Sequence, residues 1–180
     1  MTNEEIDSLI PTDVKEKKEF FHKIAIDIIN EYDNEHKYDL IQISSIAKIG
    51  KWIKKHILFD ISFCDKHEMT AYETYINKRG VSVHITKLFN ALISSLGYPV
   101  LYALGYVIYN KNTFGNEDIH CWSIINIDKK GLRWLPFDAA FGIFSGKLPV
   151  THVFKKIGYY GPRLLAEDKV YFKNIDADGL

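Results

Sequence analysis

Cysteine is scarce in this sequence, with only Cys64 and Cys121 among 180 residues, so no disulfide framework can carry the fold. Net charge is absent as well. The 23 lysines and arginines match the 23 aspartates and glutamates, leaving no global field to draw nucleic acid or anionic lipid. The basic clusters at residues 15–18, 54–55 and 129–130 are short and read as solvated faces, so nucleic-acid binding is disfavoured. No apolar run approaches the roughly 18 residues of a membrane span. The opening MTNEEIDSLI is acidic and lacks the basic-then-apolar order of a secretory leader. Repeats, low-complexity linkers and domain boundaries are also missing. The expectation is one reduced, cytoplasmic domain over residues 1–180, with no membrane association.

Hydrophobic residues make up 47% of the chain and aromatics 14%, which is enough for one continuous core. The first half reads as helical. Thr2 and Glu5 form a capping box for a short helix ending at Pro11. A longer helix from Thr12 follows, with Phe20, Phe21, Ile24, Ile28 and Tyr32 on one stripe. A third carries Ile46, Ile49, Ile53 and Ile57, with Trp52 beside the stripe. Thr70 and Glu73 make a second capping box, for a short helix ending near Asn77. Arg79 and Gly80 then break the chain. The strongest helix follows, with Ile85, Leu88, Phe89, Leu92, Ile93 and Leu96 on its stripe, stopped by Gly97 and Tyr98-Pro99.

The period then changes. Residues 100–109, 119–127 and 132–137 are β-branched and aromatic, separated by polar segments at 110–118 and 128–131. Helices first and an antiparallel sheet afterwards predict an α+β domain. Residues 151–180 are less regular, although Val153, Phe154 and Tyr159 argue that the segment docks on the body.

Three polar residues stand out on this frame: Ser82 at a helix start, His120 on a strand and Asp138 at the end of the next strand. A thiol nucleophile needs such surroundings. A helix N-terminus and a nearby imidazolium lower a cysteine's pKa from about 8.5 to roughly 3.5–7.5. The histidine then serves as general acid to the leaving group, with its tautomer fixed by a third polar group.

The stretch RGVSVHITKLFNALISSLGYPV resembles the segment of the transglutaminase-like superfamily in which a glycine turn precedes the nucleophile and its long helix. His120-Cys121-Trp122 is similar to that family's histidine strand, and Trp134-Leu135-Pro136-Phe137-Asp138 to its tryptophan-to-aspartate strand. The three blocks stand in family order between about residues 52 and 142. The resemblance implies a papain-like core and a catalytic triad of Ser82, His120 and Asp138, acting on a peptide or protein in a cleft without a cofactor.

One residue departs from the pattern, because Ser82 stands where the family has cysteine. Leu88, six residues on, is already in place, so sliding the alignment restores no thiol. Serine is also a preferred helix N-cap. Ser82 therefore reads as a capping or dead-nucleophile residue or as a live one, and natural loss and an engineered Cys→Ser exchange both remain open. The corresponding functions are an inactive transglutaminase-like protein, a non-catalytic peptide-binding module that retains the cleft, and a serine hydrolase.

Other candidates read as structural. Cys121 adjoins His120 on a strand, so the two point to opposite faces. A metal site from Cys64, His67 and Glu68 would need a distant fourth ligand. His84 reads as a surface position, and Trp122 and Trp134 as wall and core residues. Strand register supplies a further expectation. A four-residue connection at 128–131 would set Asp138 opposite Cys121, on the wrong face. If Asp138 serves His120, the connection has three or five residues, or a bulge, and the two pair nearly opposite each other.

Overall fold

Apolar stripes at three- and four-residue intervals build the helical half, as seen in a computed structural model that describes residues 17–37, 43–64, 69–107, 119–128, 133–149 and 152–158. Helix α1, Lys18–Glu35, buries Phe21, Ile24, Ala25 and Ile28. Phe20 lies at the margin of that stripe, its ring 5.2 Å from Tyr72 and 5.8 Å from Tyr75. The capping box at Thr2 and Glu5 and the helix start at Thr12 lie outside the described residues. Helix α2, Ser45–His56, is capped by the Ser44 side chain, which accepts from Ala47 N–H, and it buries Ile46, Ile49, Gly50 and Ile53. Helix α3, Ala71–Asn77, has the capping box expected of Thr70 and Glu73, with both reciprocal bonds formed.

Arg79 and Gly80 do more than break the chain. They form a short strand, β2 (Arg79–Gly80), paired in parallel with β1 (Leu58–Phe59). Helix α4, Ser82–Ser95, follows at once and every residue in it is buried. It ends before Gly97, whose φ of 81° is the left-handed conformation that glycine adopts without steric cost.

The sheet contains β3 (Val100–Val107), β4 (Ile119–Asn126), β5 (Trp134–Phe137) and β6 (His152–Gly158) in the order β5-β4-β3-β6, each neighbour antiparallel. The docking expected after residue 151 takes the form of strand β6. On one face of the sheet α4 packs Leu88, Phe89 and Leu92 together with Ile125, Phe137 and the inner residues of α1 and α2. On the other face Ala103, Trp122 and Ile124 meet Trp134 and Leu148. This is the α+β arrangement expected of helices packed on an antiparallel sheet. No helix among the described residues is long and apolar enough to cross a membrane.

Candidate active site

Two backbone hydrogen bonds show how β4 directs its groups. Asn126 N–H donates to Pro99 O, ahead of β3, and Ile127 N–H donates to Arg133 O, ahead of β5. Along β4, even-numbered residues therefore turn their backbone groups towards β3 and odd-numbered residues towards β5. Strand β5 ends with Phe137 opposite Ser123, so it does not reach the carbonyl of Cys121. Thr86 takes that acceptor, its hydroxyl donating to Cys121 O at 3.0 Å. Ser82 is the first residue of α4, one turn before Thr86 on the same stripe. The first turns of α4 are thus held against the open edge of β4 at Cys121.

Ser82 is buried but it is not the N-cap. Val81 holds that place, and its N–H donates to Nδ1 of His84 at 3.2 Å. The imidazole plays the part usually taken by glutamate or glutamine at this position of a capping box. The capping reading of Ser82 is corrected accordingly, since Val81 holds the N-cap and the serine lies one residue inside the helix. His84 itself is fully buried, not on the surface. A Cβ at Gly80 would lie 2.6 Å from His84 Cβ, so the ring can fold back only over a glycine.

His120 and Asp138 meet directly, with Nε2 of His120 2.5 Å from Oδ2 of Asp138. Five residues, 128–132, separate the bonded Ile127 and Arg133, one of the two lengths that the shared face required. The pairing is diagonal and not nearly opposite. Extending the register of Ser123 with Phe137 sets Asp138 beside Trp122, two residues along the same face from His120. The three sequence-predicted residues thus come to one end of the sheet. His120 and Asp138 are hydrogen-bonded, whereas Ser82 arrives through Thr86 with no direct bond to His120 among the described residues.

His152, at the start of β6, was not among the sequence candidates. Its Nε2 lies 3.0 Å from the same Asp138 Oδ2. The available signal was the β-prone run Val150-Thr151-His152-Val153-Phe154 after Pro149. Oδ1 of Asp138 accepts from Phe141 N–H at 3.0 Å. Burial pushes the Asp138 carboxyl up, but the hydrogen bonds from His120 and His152 outweigh it and hold the group down at about 2. Phe141 stands edge-on to the His120 ring at 4.8 Å, and Trp122 closes the same face. Cys121 faces the other way, among Val81, Val83, Tyr102 and Leu104, where burial pushes its thiol up to about 12.

Ligand atoms of His120, Asp138 and His152 lie within 4.8 Å of one another, the one such cluster among the described residues. A tetrahedral ion bound at about 2.0–2.1 Å would keep its donors roughly 3.3 Å apart. A nitrogen-to-oxygen separation of 2.5 Å is therefore a hydrogen-bond spacing, and the trio as it stands does not fit a metal. Cys64 is exposed, while His67 and Glu68 lie outside the described residues.

A buried helix start abutting a strand that carries a histidine, with an aspartate at the end of the next strand, defines the papain-like class of α+β folds. Within that class the chain belongs to the transglutaminase-like superfamily, whose family profile matches residues 27–139. Among solved structures, a candidate cysteine protease from Cytophaga hutchinsonii shares the fold, with a TM-score of 0.60 and 19% identity over 88% of this chain and 48% of that one. The chain thus spans about half the length of that protein. A structure described as a TGase aligns with a TM-score of 0.49 and 13% identity, over 75% of this chain and 35% of that one. No curated protein matches the chain.

Proposed function

We propose that the chain carries the site of a thiol acyl-transfer or peptide-hydrolysis domain in which Ser82 occupies the nucleophile position, leaving the site inactive or severely impaired. The observation that carries this reading is the His120–Asp138 pair. It engages Nε2 and leaves Nδ1 as the ring nitrogen available to a nucleophile at the start of α4. In the thiol form, the thiolate attacks the carbonyl carbon of a glutamine side chain or a peptide bond. The tetrahedral intermediate collapses as His120 gives its proton to the leaving nitrogen, and water or an amine then resolves the acyl-enzyme. A helix terminus and an imidazolium can hold a thiolate, but a hydroxyl is far too weak an acid to ionise there.

The test is Ser82→Cys, in a chain whose Cys64 and Cys121 are replaced, alkylated by iodoacetamide across pH. The half-maximal rate should fall well below the roughly 8.5 of a free thiol. Adding His120→Ala should return it towards that value. An ordinary titration indifferent to His120 would sink the acyl-transfer reading. The serine itself favours a second reading, a cytoplasmic peptide-binding module that keeps the cleft without the chemistry. Fluorophosphonate labelling of Ser82 that depends on His120 would refute both in favour of a serine hydrolase.

A further inference from the structure

His152 lies beyond the residues that the family profile matches, on a strand at the far side of β3 from His120. The register brings the two histidines together. His120 of β4 pairs with Gly105 of β3, and His152 of β6 pairs with Val107, two residues along the same face. The residue opposite His120 on that face is a glycine, which adds no side chain beside its ring. Their rings stand 5.8 Å apart at 75°, and Trp122 and Phe141 lie 5.4 and 5.6 Å from the His152 ring. The His152 side chain is 1% exposed and the Asp138 side chain fully buried, so water does not compete for their bond.

The shared carboxylate oxygen then restricts where the ring protons lie. Oδ2 of Asp138 can only accept when the carboxyl is ionised, and it faces an Nε2 at 2.5 Å and another at 3.0 Å. An unprotonated Nε2 on either ring would set two lone pairs against each other. Both rings therefore carry a proton on Nε2. With Oδ1 held by Phe141 N–H, the carboxylate is fixed at three points and cannot rotate away from His120.

We propose that His152 is a positioning residue of this site, the second of two imidazoles sharing one carboxylate oxygen, and that it keeps Asp138 aimed so that His120 holds its proton on Nε2 and turns Nδ1 to the start of α4. The inference rests on reading Ser82, His120 and Asp138 as the site, but it concerns the cluster alone and needs no activity. Asp138 is the positioning group for His120, and His152 acts one step further back, through Asp138.

Long-range proton–nitrogen NMR of the 15N-labelled chain tests it. In the unmodified chain, both His120 and His152 should show the pattern of a ring protonated on Nε2. His152→Phe should remove one deshielded ring N–H signal and turn the single tautomer of His120 into a mixture. The Asp138 carboxyl carbon should then titrate at higher pH. His152→Gln, whose amide can donate to Oδ2, should restore both readouts towards the original. If the phenylalanine variant folds and leaves the His120 tautomer and the Asp138 titration unmoved, His152 merely fills space and the proposal is wrong. If that variant does not fold, the unmodified chain still decides, because a proton on Nδ1 of His152 with Nε2 bare overturns the proposal. None of these signals depends on a nucleophile at position 82, so failure of the acyl-transfer reading would leave them intact.

Discussion

Adjacent residues of β4 live in opposite chemical worlds. Cys121 faces α4 and an apolar cluster, where burial outweighs the Thr86 hydroxyl and the Lys87 charge and pushes its thiol up to about 12. His120 faces the other side, where two imidazoles and a backbone N–H surround a buried carboxylate and hold it down at about 2. Both faces are dry, so burial alone does not decide what a titratable group does. The partners decide: the thiol has few and stays protonated, whereas the carboxylate has three donors and stays ionised. A strand that alternates sides is enough to keep an inert sulfur one residue away from a charged site.

Breaking the helix-side face should have the largest effect. Ile125 is fully buried between α4 and the sheet, so Ile125→Ala should cost about 2–5 kcal/mol in a urea unfolding curve. The polar face should be sharpened by acid. The folded Asp138 carboxyl lies at about 2 against an ordinary 3.8, a stabilisation on the order of 2 kcal/mol. The folded value is the lower one, so this stabilisation is complete above the ordinary value and is lost as pH falls from about 5 towards 2. Urea midpoints should drop across that window, and Asp138→Asn should flatten the drop. A variant with the same acid slope as the parent would mean that the carboxylate is not the group responsible. The smallest effect concerns the thiols. Iodoacetamide at mildly alkaline pH should modify exposed Cys64 in the folded chain and reach Cys121 only after denaturant is added. Modification of both at one rate would show that the helix-side face opens.

Local signals carried most of the fold into the sequence. The stripe of α4, its glycine stop and the capping box at Thr70 and Glu73 are written within one or two helical turns, and each formed where it was expected. That the connection before Arg133 departs from a plain four residues was legible for a different reason. It follows from asking two residues on neighbouring strands to share a face. What stayed hidden depends on partners far along the chain. The two-residue strands β1 and β2 are too short to show a period, and only their mutual pairing defines them. His84 looked like a surface residue because helix polarity is normally solvent-facing, yet a glycine four residues earlier opens the space into which its ring folds. His152 belongs to an edge strand that docks across β3, and nothing local to residues 149–152 points to Asp138.

Helix α2 touches the site without supplying any of its polar residues. Gly50 leaves room for the ring of Phe144, since a Cβ there would lie 2.1 Å from that ring, and Lys54 Nζ donates to Ala140 O at 2.8 Å. Together, from one face of α2, they hold the turn that follows Asp138 and that contributes the N–H of Phe141. The turn after Asp138 is consequently anchored from far upstream, the Lys54–Ala140 bond spanning 86 positions, by a helix that precedes α4. A fragment trimmed to begin at α4 would keep Ser82, His120, Asp138 and His152 and still lack the scaffold that orients the carboxylate. The smallest transplantable version of this site therefore reaches back through α2, and its boundary is drawn by a glycine and a lysine that do no chemistry.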